Sequence, residues 1–340
     1  GPVAQLVSAP PCHGGGRGFK SRLGRPTYEL VLAKSREQMG YDRKGAISTV
    51  VLKLSGKKVL IVGLARDCEK TLLKEILRLQ NIFLEFFEQV DFYIVESDSS
   101  DGTVASLTEC SRVINGFNFQ SLGKLQRMVP DRIERLRVCR NNYIEYIFSS
   151  KTQYDFVVMN DFDIKNRKLK AKNLRAIFSE KIEWSAFFAN QAGRYYDIYA
   201  LRHPQWNKRD CFIEANELRL QGIKNFQQQA LWAKMKKIPI SNDPIQVESA
   251  FGGLAIYKTQ DLKGLDYSLY SGVSPLESEH ISLNYKLINN GLKLYIHPRL
   301  INFSWNPHNL SSFKLFRAID RHSKVGILRG IRRILRSAIS

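Results

Sequence analysis

The chain has 340 residues, of which 44% are hydrophobic, and a formal net charge of +20. This length and hydrophobic content are typical of a globular protein with one large or two small domains, and the charge indicates an acidic partner such as nucleic acid, anionic lipid or a phosphorylated substrate. The sequence lacks any stretch of about 18 uninterrupted apolar residues, and its five scattered cysteines lack C-x-x-C spacing, which argues against a membrane-spanning helix, a disulfide framework and a zinc site.

Residues 1–26 are rich in Gly, Pro and Arg and have no periodic apolar pattern, so we expect them to be disordered. Gly1-Pro2 resembles a protease-tag scar, and the residues that follow resemble the conceptual translation of a transfer-RNA gene. We therefore interpret residues 1–26 as a non-native leader and residues 27–56 as an N-terminal extension.

From Lys57 the chain alternates strand-like and helix-like patterns. Strands are predicted at 59–63, 91–96 and 155–160 and helices at 69–88 and 132–148, an alternation that predicts an α/β domain. The remaining predicted elements are a short helix at 171–180, strands at 184–189 and 196–201, a helix at 212–236, a strand at 245–257, a helix at 280–290 and a strand at 292–296. No internal repeat is present, so we expect one folded domain across residues 57–312.

The strand predicted at 155–160 leads into Asp161 and Asp163, two carboxylates one residue apart. Such a pair at a strand exit can hold a hard cation such as Mg²⁺ or Mn²⁺, which prefers oxygen ligands and commonly shares its coordination with substrate phosphates. A D-x-D triplet also arises by chance, so its meaning depends on the surrounding structure. We predict that Asp161 and Asp163 are metal ligands that face a bound diphosphate.

The strand at 91–96 runs into an acidic, hydroxyl-rich turn that ends at Thr103. Glu96 and Asp98 are candidates to bind a nucleobase or ribose, because ligands usually bind at the carboxyl ends of strands in an open α/β sheet. Asp101 and Thr103 are instead good turn and helix-capping residues. For Asp98 the sequence leaves the ligand-binding and structural roles open.

Arg140 falls inside the apolar stripe of the helix predicted at 132–148. An arginine in that position needs an anionic partner, because an unpaired buried charge is very costly. The partner is either a phosphate of the nucleotide donor or a carboxylate such as Asp98, and the sequence leaves both open. Arg137 lies close to the same face and is a second candidate, whereas Arg132 and Arg135 are predicted to be solvated.

Four segments of this chain, in this order, resemble a glycosyltransferase of the GT-A fold: Gly63-Leu-Ala-Arg-Asp67, Glu96-Ser-Asp-Ser-Ser-Asp-Gly-Thr103, Arg140-Asn141 and Asn160-Asp-Phe-Asp163. The pattern covers about residues 57–305 and is similar to the family of fungal capsule α-1,3-mannosyltransferases and bacterial relatives in surface-polysaccharide gene clusters. The resemblance implies a GT-A type, Rossmann-like mixed sheet flanked by helices. It also implies a nucleotide-diphosphate sugar as donor, a cation held by Asp161 and Asp163, and an acceptor bound by the C-terminal half.

Three later positions are candidates for sugar recognition and catalysis. Asp197 lies in an aromatic and polar stretch that suits sugar binding, the alternative being an ordinary aromatic core with a glycine turn. Gly252 and Gly253 interrupt a strand pattern, which is typical of a bulge or of close approach by a ligand. Glu279 opens a predicted helix, either as an ordinary first-turn acid or, as the resemblance implies, as the base towards the acceptor hydroxyl, with His280 beside it as a candidate substrate contact.

His297 follows the strand predicted at 292–296. The resemblance implies that a histidine here contributes to the metal or the diphosphate, whereas a lone histidine in such a position is more often structural. We retain His297 as a third predicted metal ligand.

Residues 313–340 carry eight Lys or Arg and one acid, with apolar residues at helical spacing. This pattern predicts a basic amphipathic C-terminal helix on an anionic membrane surface, the alternative being a basic helix packed on the domain. We therefore expect a cytoplasmic protein that associates peripherally with the inner face of the membrane.

The sequence thus predicts a metal-dependent glycosyltransferase of the hexosyltransferase class, which moves a sugar from a nucleotide-diphosphate donor to a glycan or lipid-linked acceptor in surface polysaccharide synthesis. One alternative is a sugar-phosphate nucleotidyltransferase, but that enzyme needs a glycine-rich loop after its first strand, and the segment 63–67 has too little glycine. The other is a non-catalytic nucleic-acid-binding protein. Nucleic acid is disfavoured as a partner because much of the positive charge lies in the terminal segments and no nucleic-acid motif is present.

Overall fold

The computed structural model describes Leu54, residues 56–163 and residues 166–303. Within these residues, eight strands form one mixed sheet that is flanked by helices. The predicted α/β class is therefore confirmed. The leader at 1–26, most of the extension at 27–56 and the basic C-terminal segment at 313–340 lie outside the described residues.

The strands are β1 (Lys58–Ala65), β2 (Gln89–Glu96), β3 (Phe117–Ser121), β4 (Phe156–Asp161), β5 (Ala186–Asn190), β6 (Ile245–Val247), β7 (Leu254–Lys258) and β8 (Leu294–Ile301). The helices are α1 (Leu72–Leu84), α2 (Thr103–Val113), α3 (Arg132–Ser149), α4 (Ala171–Phe178), α5 (Cys211–Leu220), α6 (Phe226–Ala230) and α7 (Glu279–Asn289).

The sheet has the strand order β3-β2-β1-β4-β7-β5-β8-β6. Strands β1 to β4 are mutually parallel, and the chain places β2 and β3 on one side of β1 before it crosses to β4 on the other side. Such a reversal of strand order leaves a crevice at the carboxyl ends of the strands, where ligands bind in open α/β sheets. A ligand site is therefore expected at the carboxyl ends of β1 and β4.

Helices cover both faces of the parallel strands, which explains the continuous apolar run Val59–Val62 in β1. Leu60 and Val62 belong to the core cluster that includes residues of α3, whereas Val59 and Ile61 belong to the cluster that includes residues of α1. Helix α3 begins sharply because the side chain of Asp131 accepts a hydrogen bond from the backbone N–H of Glu134 at 2.8 Å. The same helix places Arg140 beside Asp161, at the carboxyl end of β4.

Three elements differ from the sequence prediction for identifiable reasons. The strand predicted at 245–257 is two strands, because Gly252 and Gly253 adopt the left-handed φ values of 70° and 83°. The helix predicted at 212–236 is broken at Gly222, whose φ is 77°. The strand predicted at 196–201 is instead a turn in which the carboxylate of Asp197 accepts a hydrogen bond from the backbone N–H of Ala200.

Among the helices that the structure describes, none is both long enough and apolar enough to cross a membrane. The four cysteines in the same part of the chain, Cys68, Cys110, Cys139 and Cys211, are buried free thiols.

Candidate active site

A cavity of about 730 Å³ lies where the carboxyl ends of β1, β2 and β4 meet. Six of the residues that the sequence predicts to bind nucleotide or metal or to act in catalysis line it: Asp98, Arg140, Asp161, Asp163, Asp197 and Glu279. The structure therefore brings together six positions that span most of the described chain.

The lining of this cavity is acidic although the chain as a whole is basic. Among the residues that the structure describes, eight carboxylate side chains and five Lys or Arg side chains line it. An excess of carboxylates attracts cations and, without one, repels a diphosphate. The electrostatics of the cavity thus fit a ligand that contains both a metal ion and phosphate.

The side chain of Asp161 is 24% exposed, and Asp163 is an exposed residue, so both are accessible from the cavity. Burial raises the pKa of Asp161 to about 6, and the nearby carboxylates of Asp163 and Glu279 add to this effect, while Arg140 lowers the pKa. Burial and the neighbouring carboxylates thus outweigh the effect of Arg140 on Asp161.

Arg140 is 2% exposed and binds two carboxylates at once. Its Nε donates to Oε1 of Glu279 at 2.7 Å, and its Nη2 donates to Oδ1 of Asp161 at 3.1 Å. A third donor, Nη1, reaches the hydroxyl of Tyr143 at 3.1 Å. The sequence left open whether Arg140 pairs with a phosphate of the donor or with a carboxylate such as Asp98. In the structure it pairs with the carboxylates of Glu279 and Asp161, and not with that of Asp98.

Glu279 lies at the first position of α7 and is 3% exposed. Burial alone raises the pKa of its carboxyl, but the guanidinium of Arg140 outweighs burial and lowers the pKa to about 2. A carboxylate with so low a pKa is a poor proton acceptor near neutral pH. The geometry therefore suits Glu279 to orienting Arg140 better than to the base role.

The pKa of Asp197 is shifted in the direction opposite to that of Glu279. Burial raises its pKa to about 6, against the hydrogen bonds from the backbone N–H groups of Gly252 at 2.9 Å and Ala200 at 3.3 Å, which lower it. A pKa near the working pH is what general base catalysis requires. Gly252 supplies its N–H only because it lacks a side chain, since a Cβ there would lie 2.6 Å from the carbonyl oxygen of Ala189.

The two acids of the β2 turn have different surroundings. Asp98 lines the cavity with a φ of 62°, and its Oδ1 accepts a hydrogen bond from the backbone N–H of Gln126 at 3.0 Å. Glu96 is 1% exposed, does not line the cavity, and accepts hydrogen bonds from the N–H of Ser99 and the hydroxyl of Ser121. Asp98 thus belongs to the cavity lining, whereas Glu96 shapes the turn that carries it.

Arg137 and His297 are not brought to the cavity. Arg137 is buried and donates to Glu134 and to the carbonyl oxygen of Pro275. Nε2 of His297 lies 3.1 Å from Oε1 of Glu180. Both side chains therefore have structural partners elsewhere in the fold.

Two cationic residues that were predicted to be solvated, Arg132 and Arg135, also line the cavity. Arg132 is indeed exposed, but the side chain of Arg135 is only 12% exposed and lies 3.9 Å from Oδ2 of Asp98. For Arg132 the signal was present in the sequence, because Arg132, Leu136 and Arg140 recur at intervals of four and thus share one face of α3. That face lines the cavity.

Asp67 also lines the cavity without having been singled out. Its φ is 48°, and its Oδ1 accepts hydrogen bonds from the N–H and the hydroxyl of Ser100 at 2.7 and 3.1 Å. Asp67 thereby ties the loop after β1 to the loop after β2.

The donor set fits a lightly coordinated divalent cation rather than a closed metal cage. No group of three or more His, Cys, Asp or Glu side chains with metal-binding geometry occurs in the part of the chain that the structure describes. Mg²⁺ needs no such group, because it is commonly bound through one or two carboxylates together with substrate phosphates and water. Asp161 and Asp163 supply that number of carboxylates at the wall of an open cavity.

Neither a protein-family model nor a curated protein matches this sequence. Solved structures resemble it at low identity. The mannosyltransferase PcManGT from Pyrobaculum calidifontis, in complex with GDP-Man and Mn²⁺, has a TM-score of 0.40 and 13% identity, over 81% of this chain and 64% of that one. TarS 1-349 from S. aureus has a TM-score of 0.40 and 13% identity, over 79% and 66% of the two chains. Glucosyl-3-phosphoglycerate synthase from Mycobacterium tuberculosis, in complex with UDP, has a TM-score of 0.33 and 12% identity, over 73% and 70%.

This chain therefore spans less than two thirds of the length of the mannosyltransferase. At TM-scores of 0.40 and below, these likenesses carry no argument about function. The function is inferred from the cavity and its residues.

Proposed function

We propose that this protein is a metal-dependent glycosyltransferase of the GT-A type, which transfers a sugar from a nucleotide-diphosphate donor to an acceptor hydroxyl. One observation carries the proposal: Asp161 and Asp163 line an acid-rich cavity at the point where the strand order of the sheet reverses. That point is the usual ligand site of an open α/β sheet. Two accessible carboxylates there provide the donor set for a cation that is shared with a diphosphate.

Asp161 and Asp163 would hold Mn²⁺ or Mg²⁺. When bound, this cation supplies positive charge that stabilises the departing nucleoside diphosphate. Arg140 keeps Asp161 in position through the bond between Nη2 and Oδ1. Because Arg140 is already shared between two carboxylates, its role is to position Asp161 rather than to bind phosphate.

Asp197 is the candidate base that accepts the proton of the acceptor hydroxyl as this hydroxyl attacks the anomeric carbon. Its raised pKa and its place in the cavity lining support this assignment. Glu279 then acts as a positioning residue, because its carboxylate accepts a hydrogen bond from the same guanidinium that donates to Asp161.

Asp98 is the candidate contact for the nucleoside. It lies at the exit of β2 in the cavity lining, and its second carboxylate oxygen is 3.9 Å from Arg135. A carboxylate there can accept a hydrogen bond from a ribose hydroxyl or from an N–H of the base.

The acceptor is proposed to be a glycan or a lipid-linked glycan of surface polysaccharide synthesis, and the sugar a hexose. This part of the proposal rests on the sequence of residues 313–340, whose basic amphipathic pattern suits an anionic membrane surface where lipid-linked acceptors occur.

A thermal-shift screen of UDP, GDP and CMP, each with and without Mn²⁺, tests the metal and nucleotide site. A ligand at 100 times its Kd stabilises the folded state by about 2.7 kcal/mol, so binding raises Tm measurably. We expect one nucleoside diphosphate to raise Tm only when Mn²⁺ is present, and the substitution Asp163→Asn to abolish that increase.

The matched control is Asp243→Asn, which changes an exposed aspartate outside the cavity lining. It should leave the nucleotide-dependent increase intact. An increase of the same size in Asp163→Asn and in the parent protein would refute the proposed metal site.

A further inference from the structure

His280, the second residue of α7, is a buried polar side chain without a hydrogen-bond partner. It is 3% exposed and lines the cavity. Neither Nδ1 nor Nε2 has a hydrogen-bond partner in the described part of the chain. Buried polar groups almost always have partners, so two unpartnered nitrogens on one ring require an explanation.

The ring cannot easily turn to find partners, because aromatic neighbours hold it. Its face is stacked on Phe251 with a centroid distance of 3.8 Å and an interplanar angle of 20°, and Tyr267 approaches at 5.7 Å and 72°. Nε2 lies 3.6 Å from Oε1 of Glu279, which is beyond hydrogen-bonding distance. The ring is therefore fixed beside Glu279 with its hydrogen-bonding capacity unused.

The chemistry of the ring indicates what it binds. Burial and the nearby charge of Arg140 hold the pKa of His280 well below its usual value, so the imidazole is neutral. A neutral imidazole has one N–H donor and one nitrogen acceptor. Beside the carboxylate of Glu279 a hydroxyl group matches it, because the hydroxyl can accept from the ring N–H and donate to the carboxylate, whereas a phosphate offers acceptors only and would be repelled by the carboxylate.

The depth of the ring indicates which hydroxyl it binds. An acceptor that belongs to a glycan or a lipid-linked glycan remains attached to a large molecule and enters from solvent. The transferred sugar is a single ring that the cavity can enclose. A side chain that is 3% exposed is therefore suited to the transferred sugar.

We propose that His280 binds a hydroxyl of the transferred sugar and thereby helps to determine which sugar the enzyme accepts. This inference rests on the proposed function. In the bound state the hydroxyl can donate to Glu279 and accept from the ring N–H, because Oε1 of Glu279 and Nε2 of His280 lie side by side. Sites built around a hydroxyl reject sugars that lack it, since the buried partners are then left unpaired.

Isothermal titration of His280→Phe tests the proposal. Phenylalanine keeps an aromatic ring against Phe251 but removes both nitrogens. The probes are UDP and UDP-glucose, and GDP and GDP-mannose, each with Mn²⁺. We expect roughly tenfold weaker binding of the nucleotide sugar that the parent protein prefers, and unchanged binding of its free nucleotide.

Unchanged binding of the free nucleotide also shows that the variant is folded. The same substitution at His203, which lies outside the cavity lining, is the matched control and should alter neither affinity. His280→Gln restores a donor and an acceptor and should recover part of the lost affinity.

The outcomes separate this inference from the proposed function. If no nucleotide binds the parent protein, the proposed function and this inference both fail. If the nucleotide binds but His280→Phe and the parent protein bind the nucleotide sugar equally well, this inference alone fails.

If His280→Phe does not fold, the parent protein still tests the inference. Among the four nucleotide sugars deoxygenated at position 2, 3, 4 or 6, at least one should bind roughly tenfold more weakly than the full sugar, and His280→Gln should reduce that difference. If all four bind as tightly as the full sugar does, the inference is overturned.

Discussion

Nε of Arg140 donates a hydrogen bond to Oε1 of Glu279 at 2.7 Å across a sequence separation of 139 residues. The bond joins the middle of α3 to the first turn of α7, and the second bond of Arg140 extends the link to Asp161 at the end of β4. One guanidinium thus sets the relative positions of a candidate metal ligand and a positioning carboxylate.

The substitution Arg140→Met should lower the free energy of unfolding by about 3–5 kcal/mol, because it leaves Glu279 buried and without its cation. Urea denaturation measures this loss. The double substitution Arg140→Met with Glu279→Met should recover part of it, since both members of the buried pair are then apolar. As a control, Arg112→Met removes an exposed pair with Glu109 and should leave the transition unchanged. A loss no larger in Arg140→Met than in Arg112→Met would contradict the buried-pair account.

The effect of Asp197→Asn on stability should become more favourable as the pH rises, while transfer is reduced. The folded-state pKa of Asp197 is raised from 3.8 to about 6, so between these values the folded state holds the proton more tightly than the unfolded state. Ionisation of Asp197 therefore costs stability as the pH rises through this window, and the cost persists at pH 7. We expect the change in the free energy of unfolding caused by the substitution to be more favourable at pH 7 than at pH 4 by about 2 kcal/mol. Urea titrations at the two pH values measure the difference, and equal effects at both would show that Asp197 is not held at a raised pKa.

The same variant should lose at least about 100-fold in transfer rate if Asp197 is the base. The free nucleotide should bind it normally in the presence of Mn²⁺. A variant that transfers sugar at the parent rate would remove Asp197 from the base role.

Gly252→Ala should destabilise the protein by about 3 kcal/mol, because its left-handed φ of 70° is combined with a Cβ position only 2.6 Å from the carbonyl oxygen of Ala189. Gly264 is the matched control, since its φ is 76° but nothing lies within 4 Å of its Cβ position. Gly264→Ala should therefore cost only about 1 kcal/mol. Equal losses in the two variants, measured by thermal denaturation, would mean that close approach at Gly252 has no energetic consequence.

His297→Phe distinguishes the sequence prediction from the observed geometry. The structure pairs His297 with Glu180 outside the cavity lining, so we expect a loss of about 1 kcal/mol in stability and no change in the Mn²⁺ dependence of nucleotide binding. Calorimetry of the folded variant measures both. A Kd for Mn²⁺ weakened tenfold would support the metal role that the resemblance implies.

The strand exits of this fold are readable from the sequence because buried parallel strands are short, continuous apolar runs. The run before Asp161 and the run before Glu96 predicted β4 and β2 correctly. The apolar stripe of α3 likewise indicated that Arg140 needs an anion. That Glu279 is its main partner could not be predicted, because Glu279 lies 139 residues further along the chain and only the folded sheet brings the two residues together.

The position of His297 shows a second limit of sequence patterns. The strand was expected to end at 296, but β8 continues to Ile301, so His297 lies within it. Side chains alternate along a strand, and Tyr295 and Ile296 belong to the core clusters on opposite faces of the sheet. His297 therefore points to the same face as Tyr295, where it meets Phe187 at a ring distance of 5.0 Å. An error of a few residues in a strand boundary thus changed the inferred surroundings of a side chain.

Asp67 and Asp98 both adopt left-handed backbone conformations that cost non-glycine residues roughly 1–3 kcal/mol each. Internal hydrogen bonds hold them there, from Ser100 to Asp67 and from Gln126 to Asp98. The free-energy cost of ordering these two loops is therefore incurred during folding, before any ligand binds. A nucleotide that binds as proposed would therefore meet loops that are already ordered, so that less of its contact energy would be lost to the entropy of ordering them.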